Sequence, residues 1–190
     1  MNSKYNISII SSSVRIDRKS HNVALYLQNY LTENNLAKVE ILDLKEYNFP
    51  LFEERFKNLK NPNADLKKFV NKIIKSDGII VVTPEYNGSI PASLKNVIDL
   101  LYDEWHRKPI SFSTVSSGNF GGIQALTHLQ FIFWKVRAWT FTANFPVPKV
   151  QDKFTATGIA MNPAESDKLA KVFINEFFNC IQASKNNTEI

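Results

Sequence analysis

Ile79-Ile80-Val81-Val82-Thr83-Pro84-Glu85-Tyr86-Asn87-Gly88-Ser89-Ile90-Pro91 runs from an apolar, β-branched strand through a polar turn and into the start of an amphipathic helix. A short strand that is apolar on both faces belongs inside a parallel sheet covered by helices. In such a sheet the loops at the carboxyl ends of the strands overhang a crevice, and ligands bind where the strand order reverses. The turn suits a flat ring with a polar edge: Pro84 stiffens the backbone, Asn87 offers donor and acceptor, and Gly88 permits close main-chain approach. A flavin has such a ring, although a plain turn uses the same residues. Glu85 stands alone as a carboxylate and reads as a hydrogen-bonding positioner rather than a general acid.

Outward from this segment, five strand-length apolar runs, at 5–11, 38–42, 78–82, 110–116 and 139–143, alternate with five helical patterns. Ser20 reads as the N-cap of the first helix, whose stripe is Val23, Leu27, Tyr30 and Leu31. A second helix, 64–75, turns Leu66, Phe69, Val70, Ile73 and Ile74 inward, and a third, opened by Pro91, buries Leu94, Val97, Ile98 and Leu101. The last, 163–181, buries Leu169, Val172, Phe173, Phe177 and Ile181. This alternation predicts an α/β, doubly wound, flavodoxin-like five-stranded parallel sheet in the order 2-1-3-4-5, with helices on both faces. One domain over 1–183 with a polar tail at 184–190 accommodates it. The remaining helix, 121–137, carries Leu126, Leu129, Phe131, Ile132, Phe133, Trp134 and Val136 and leaves little polar surface. Either a second subunit or the segment 144–162 covers it, and the first is preferred here.

Two more loops end on the same sheet edge. Ser11-Ser12-Ser13-Val14-Arg15-Ile16-Asp17-Arg18-Lys19-Ser20 combines hydroxyls, arginine forks and a helix N-terminus, the chemistry that a phosphate requires. No Gly-Lys-Ser/Thr closes it and no glycine triplet follows the first strand, which disfavours a Walker loop and a dinucleotide fingerprint. Ser116-Ser117-Gly118-Asn119-Phe120-Gly121-Gly122 holds three of the chain's six glycines and suits backbone contact with a ring's carbonyl edge. In the predicted strand order, all three loops line one crevice.

The composition excludes several classes. With 190 residues, 44% of them apolar and 22% charged, the chain is an ordinary globular domain. Its net charge of +5 is spread over lysines interleaved with acids, a solvated basic surface without a nucleic-acid-binding pattern. No apolar run is long enough for a membrane span or secretory signal, so the cytoplasm is expected. The single cysteine, Cys180, falls on the apolar side of the last helix and reads as a packed thiol. His21, His106 and His128 have no metal-ligand spacing, so no metal is expected. His106 and His128 read as surface or packing residues, and His21 as either a phosphate neighbour or solvent-facing.

The three loops together resemble the NADPH-dependent FMN reductase family. The resemblance is densest from Thr83 through Pro84-Glu85-Tyr86-Asn87 to Asp99, and continues at Ser13-Val14-Arg15 with Arg18 and Ser20, Glu104-Trp105 with Lys108-Pro109, and Gly118 with Gly121-Gly122. It implies FMN as cofactor and NADPH or NADH as co-substrate. It implies that Ser13, Arg15, Arg18 and Ser20 bind the FMN phosphate. Pro84, Glu85, Tyr86, Asn87 and Gly88 would hold the isoalloxazine, helped by Ser117, Gly118 and Gly121. It also implies a homodimer or homotetramer and places Leu51-Phe52-Glu53-Glu54 near the mouth of the site. The family usually carries glycine where Ser12 stands, a departure that bears on the turn and on phosphate affinity.

The expected function is therefore an FMN-dependent NAD(P)H oxidoreductase that passes electrons to a quinone, azo compound, flavin or metal oxyanion, with no catalytic side chain required. The alternative is a flavodoxin-like carrier or redox-sensing FMN-binding protein without NAD(P)H turnover. The basic charge disfavours a carrier.

Overall fold

A computed structural model describes residues 5–186. Five parallel strands form one sheet in the order β2-β1-β3-β4-β5: β1 Asn6–Ser11, β2 Lys38–Asp43, β3 Gly78–Pro84, β4 Pro109–Val115 and β5 Trp139–Asn144. Side chains alternate across the sheet, so each face has its own core. Ile7, Ile9, Ile80 and Val82 pack with α1 (Ser20–Glu33) and the last helix, whereas Ile10, Ile79 and Val81 pack with the helices on the other face. Those helices, after the short α2 (Leu44–Tyr47), are α3 (Ala64–Lys75), α4 (Ala92–Leu100) and α5 (Ile123–Lys135). The predicted order and layering are observed. Burial on both faces holds for β3, β4 and, after Asn6, β1; the edge strands β2 and β5 are only partly covered.

Several local expectations are corrected. Ile74 is exposed because Ile73, one position earlier and about 100° away on the helix, takes the inward direction. In α6 (Pro163–Asn186) the buried stripe is Ser166, Ala170, Phe173, Ile174, Phe177, Cys180 and Ile181, which leaves Leu169 and Val172 in solvent. That helix runs past 181 to Asn186, into the expected tail; 187–190 lie outside the described residues. Helix α5 is not buried all round. Gly121 and Gly122 have φ of 60° and 82°, so the helix starts only at Ile123, and Phe131 and Trp134 are 62% and 66% exposed.

Segment 144–162 returns to the sheet edge instead of covering that exposed face. Val147 bridges Val115 in parallel, and the chain then closes against α1, where Gly158 takes φ 77°. A Cβ there would lie 2.6 Å from the Leu25 carbonyl carbon and the Tyr26 amide nitrogen, both of them backbone atoms. Gly158→Ala combines left-handed strain with a backbone clash and should cost about 2 kcal/mol or more, visible as a lowered chemical-denaturation midpoint. An unchanged midpoint would mean that α1 and this segment can separate freely.

Candidate functional site

The parallel register aligns Ser11 with Val82 and Pro84 with Val115, so the loops after β1, β3 and β4 leave one edge side by side. Between them lies a cleft of about 750 Å³, a volume suited to a cofactor. Arg15, Arg18, Ser20, Pro84, Glu85, Tyr86 and Ser117 line it, seven of the twelve residues expected at the site. Val150 and Gln151 line it too, although nothing in the sequence reading singled them out. They arrive through the 144–162 return: Ser116 N donates to Val147 O at 3.1 Å, and Val150 N donates to Ser116 O at 3.1 Å.

In the first loop, Ser12 donates its amide to Val82 O at 3.1 Å and accepts from Ser93 Oγ at 2.6 Å through its carbonyl. Its backbone lies outside the left-handed region, so a side chain is tolerated where the family usually carries glycine. Ser13 is buried beneath the cleft, its Oγ 2.7 Å from the Tyr86 hydroxyl. Arg18 points into the protein: Nη1 donates to Ser13 O at 2.6 Å and to Asp43 Oδ1 at 2.5 Å, and Nη2 pairs with Asp43 Oδ2. Arg15 lines the cleft, and its guanidinium has no ion-pair partner among the described residues.

Ser20 corrects the capping expectation. Lys19 already has helical angles, φ −75° and ψ −20°, so Ser20 is the first residue of α1 and its hydroxyl makes no cap bond. Among the described residues Ser20 Oγ has no hydrogen-bond partner; it is buried, at a helix N-terminus and within the cleft lining. A buried hydroxyl without a partner costs roughly 1–3 kcal/mol, which an acceptor placed there would relieve.

The other two loops divide differently from expectation. Tyr86 and Ser89 exchange backbone hydrogen bonds at 2.8 and 3.0 Å, and Asn87 and Gly88 between them both have positive φ, a two-residue hairpin turn. The close approach at Gly88 is to Gln124, whose Oε1 would lie 2.6 Å from an added Cβ. Gly121 likewise meets Pro146, with an added Cβ 3.0 Å from its Cβ. Asn87, Gly88, Gly118 and Gly121 do not line the cleft. Glu85 accepts from the amides of Gln124 at 3.0 Å and Ala125 at 3.3 Å, so its carboxylate closes the N-terminus of α5 and sets the third loop's exit. Phe52 also lies elsewhere. Its amide donates to Asn96 Oδ1 at 2.6 Å, and its ring lines a separate cavity of about 540 Å³ with Tyr102 and Trp134.

Residues 5–152 match the family described as NADPH-dependent FMN reductase. The chain belongs to that family. FMN is the family's cofactor and NAD(P)H its electron donor, which makes this protein an oxidoreductase. An NAD(P)H-dependent FMN reductase of Saccharomyces cerevisiae is 32% identical over 137 residues, 65% of this chain and 71% of the relative. A quinone reductase of Pseudomonas putida is 34% identical over 131 residues, 66% and 67% of the two chains. The fold also matches a flavoenzyme NAD(P)H:(acceptor) oxidoreductase of Paracoccus denitrificans, with a TM-score of 0.76 at 21% identity, over 95% of this chain and 98% of that one. The cleft fits FMN: the partnerless Ser20 hydroxyl and the unpaired Arg15 suit its phosphate, and Pro84 and Tyr86 offer surface for its ring.

His21 neither faces the cleft nor stands free in solvent. Its Nδ1 lies 3.0 Å from Ser11 Oγ and 3.6 Å from Asp43 Oδ2, and burial, followed by the charge of Arg18, holds its pKa below the ordinary 6.5. Asp43 and Glu46 pull the other way, and Lys45 adds to the lowering. A depressed histidine pKa means that the unfolded chain binds the proton more readily, so stability is lost as pH falls through and below 6.5. Denaturation at pH 5.5 and 7.5 should therefore show a smaller acid loss in His21→Gln than in the unmodified protein. Equal losses would mean that His21 does not carry the effect.

Proposed function

We propose that the protein uses FMN to move electrons from NAD(P)H to small oxidised acceptors, with quinones first among them. The supporting observation is Ser20 Oγ, a buried hydroxyl without a partner at the start of α1, beside the unpaired Arg15. That pair describes the phosphate end of a flavin mononucleotide. The quinone reductase from Pseudomonas putida supports the acceptor class; azo compounds, free flavins and metal oxyanions remain in the proposal as further acceptors.

Bound FMN would supply the two-electron redox chemistry that links NAD(P)H to the acceptor. The chain's residues bind and orient. Arg15 and Ser20 receive the phosphate; Pro84, Tyr86 and Ser117 bound the ring, with Tyr86 steadied by the Ser13 hydroxyl. Glu85 is committed to the α5 amides and acts by placement. In this reading Ser13 and Arg18 support the loop from behind, and the glycines at 88 and 121 shape the loops without touching the cofactor.

The proposal includes a homodimer or homotetramer joined through α5. Phe131 and Trp134 lie together on its exposed side, ring centroids 6.0 Å apart, next to the cavity that holds Phe52. A cytoplasmic location agrees with a lone buried cysteine and with the finding that, among the described residues, no helix is long and apolar enough to cross a membrane.

Rapid mixing of FMN-loaded protein with NADPH or NADH should bleach the flavin, and adding a quinone should restore its colour with turnover. Flavin that binds but stays oxidised with both donors would leave only a carrier or sensor. Arg15→Ala should weaken FMN binding by about ten-fold or more while sparing riboflavin, since one charge-assisted bond is worth roughly 1.5–3 kcal/mol. Trp134→Glu should lower the mass seen by light scattering; a monomer before substitution would contradict the interface.

A further inference from the structure

We propose that Asp43, at the end of β2, is a positioning residue for the phosphate site, acting through Arg18. The proposal rests on the reading of loop 12–20 as the FMN phosphate loop. Ser11 pairs with Asp43 across β1 and β2, so the carboxylate stands level with the point where the loop begins. The side chains of Arg18 and Asp43 are only 12% and 6% exposed. Charges this deep persist when paired, and removing one leaves the other uncompensated.

The pairing fixes the loop as well as neutralising charge. One nitrogen, Arg18 Nη1, bridges Ser13 O at 2.6 Å and Asp43 Oδ1 at 2.5 Å. Ser13 is thus tied at its carbonyl to β2 and, through Oγ, to Tyr86 on the β3 loop at 2.7 Å. Asp43 Oδ1 also accepts from Lys45 N at 3.0 Å, which anchors the carboxylate to the start of α2. Between Ser13 and Ser20 no regular structure holds the chain, and Asp17 takes φ 54°. The clamp therefore determines where Arg15 and Ser20 stand when phosphate arrives.

A direct phosphate role for Arg18 predicts the opposite sign. Asp43→Asn would then free a cation and tighten FMN binding, whereas a positioning role means the loop loosens and FMN binding weakens. Asparagine keeps the cap on Lys45 N and nearly the same shape. The experiment measures FMN and riboflavin dissociation constants on apoprotein by flavin fluorescence, with the apoprotein melting temperature recorded alongside. In Asp43→Asn the FMN constant should rise about ten-fold or more, while the riboflavin constant stays within about two-fold. Asp43→Glu, which keeps the charge of the pair but moves the carboxylate by one methylene and so displaces the fork, should show the same split, whereas a direct phosphate role for Arg18 leaves FMN binding unchanged; it carries the test if Asp43→Asn does not fold. Unchanged or tighter FMN binding in these variants, or equal weakening of both flavins, would overturn the proposal. Equal affinity for FMN and riboflavin in the unsubstituted protein would instead remove the phosphate reading, and the proposal with it.

Discussion

Parallel pairing of β1, β3 and β4 brings three chain reversals to one edge of the sheet, and every feature of the site depends on that alignment. Ser11 lies beside Val82, and Pro84 beside Val115, so the loops that follow have nowhere to go except over a common cleft. The interior that enforces this is apolar on both sides of β3, with Ile79 to Val82 fully buried. A register slip of one residue would exchange the two faces and separate the loops.

Within that frame, polar side chains divide into those that build the loops and those left with unmet valence. Arg18, Asp43 and Ser13 hydrogen-bond within the protein, and Glu85 Oε2 accepts from the α5 amides. The Arg15 guanidinium and the Ser20 hydroxyl have no such partner among the described residues. Among the described residues, the buried hydroxyls without a partner are those of Ser12, Ser20, Ser111 and Thr114, and of these Ser20 lies in the cleft lining at a helix N-terminus, where backbone amides and dipole favour an anion.

Much of this was legible in the sequence because its signals are local. Strand runs and helical stripes identify the five strands and the five longer helices, and the loop compositions identify the edge that carries the site. What escaped depends on distant partners. The pairing of Arg18 with Asp43 spans 25 positions, and no local pattern announces it. The crowding of Gly88 by Gln124 and of Gly121 by Pro146 likewise depends on residues far along the chain. Val150 and Gln151 reach the cleft only because Val147 bridges Val115, which no periodicity in 144–162 announces. The exposed α5 aromatics are the reverse case: apolar composition implied burial, and among the described residues nothing covers them.

A crystal structure of the FMN complex tests the central claim most directly. The account predicts the phosphate within hydrogen-bonding distance of Ser20 Oγ and the Arg15 guanidinium, and the ring between Tyr86 and the loop after β4. Density for FMN in the cavity beside Tyr102 and Trp134, or a phosphate held away from Ser20, would contradict it.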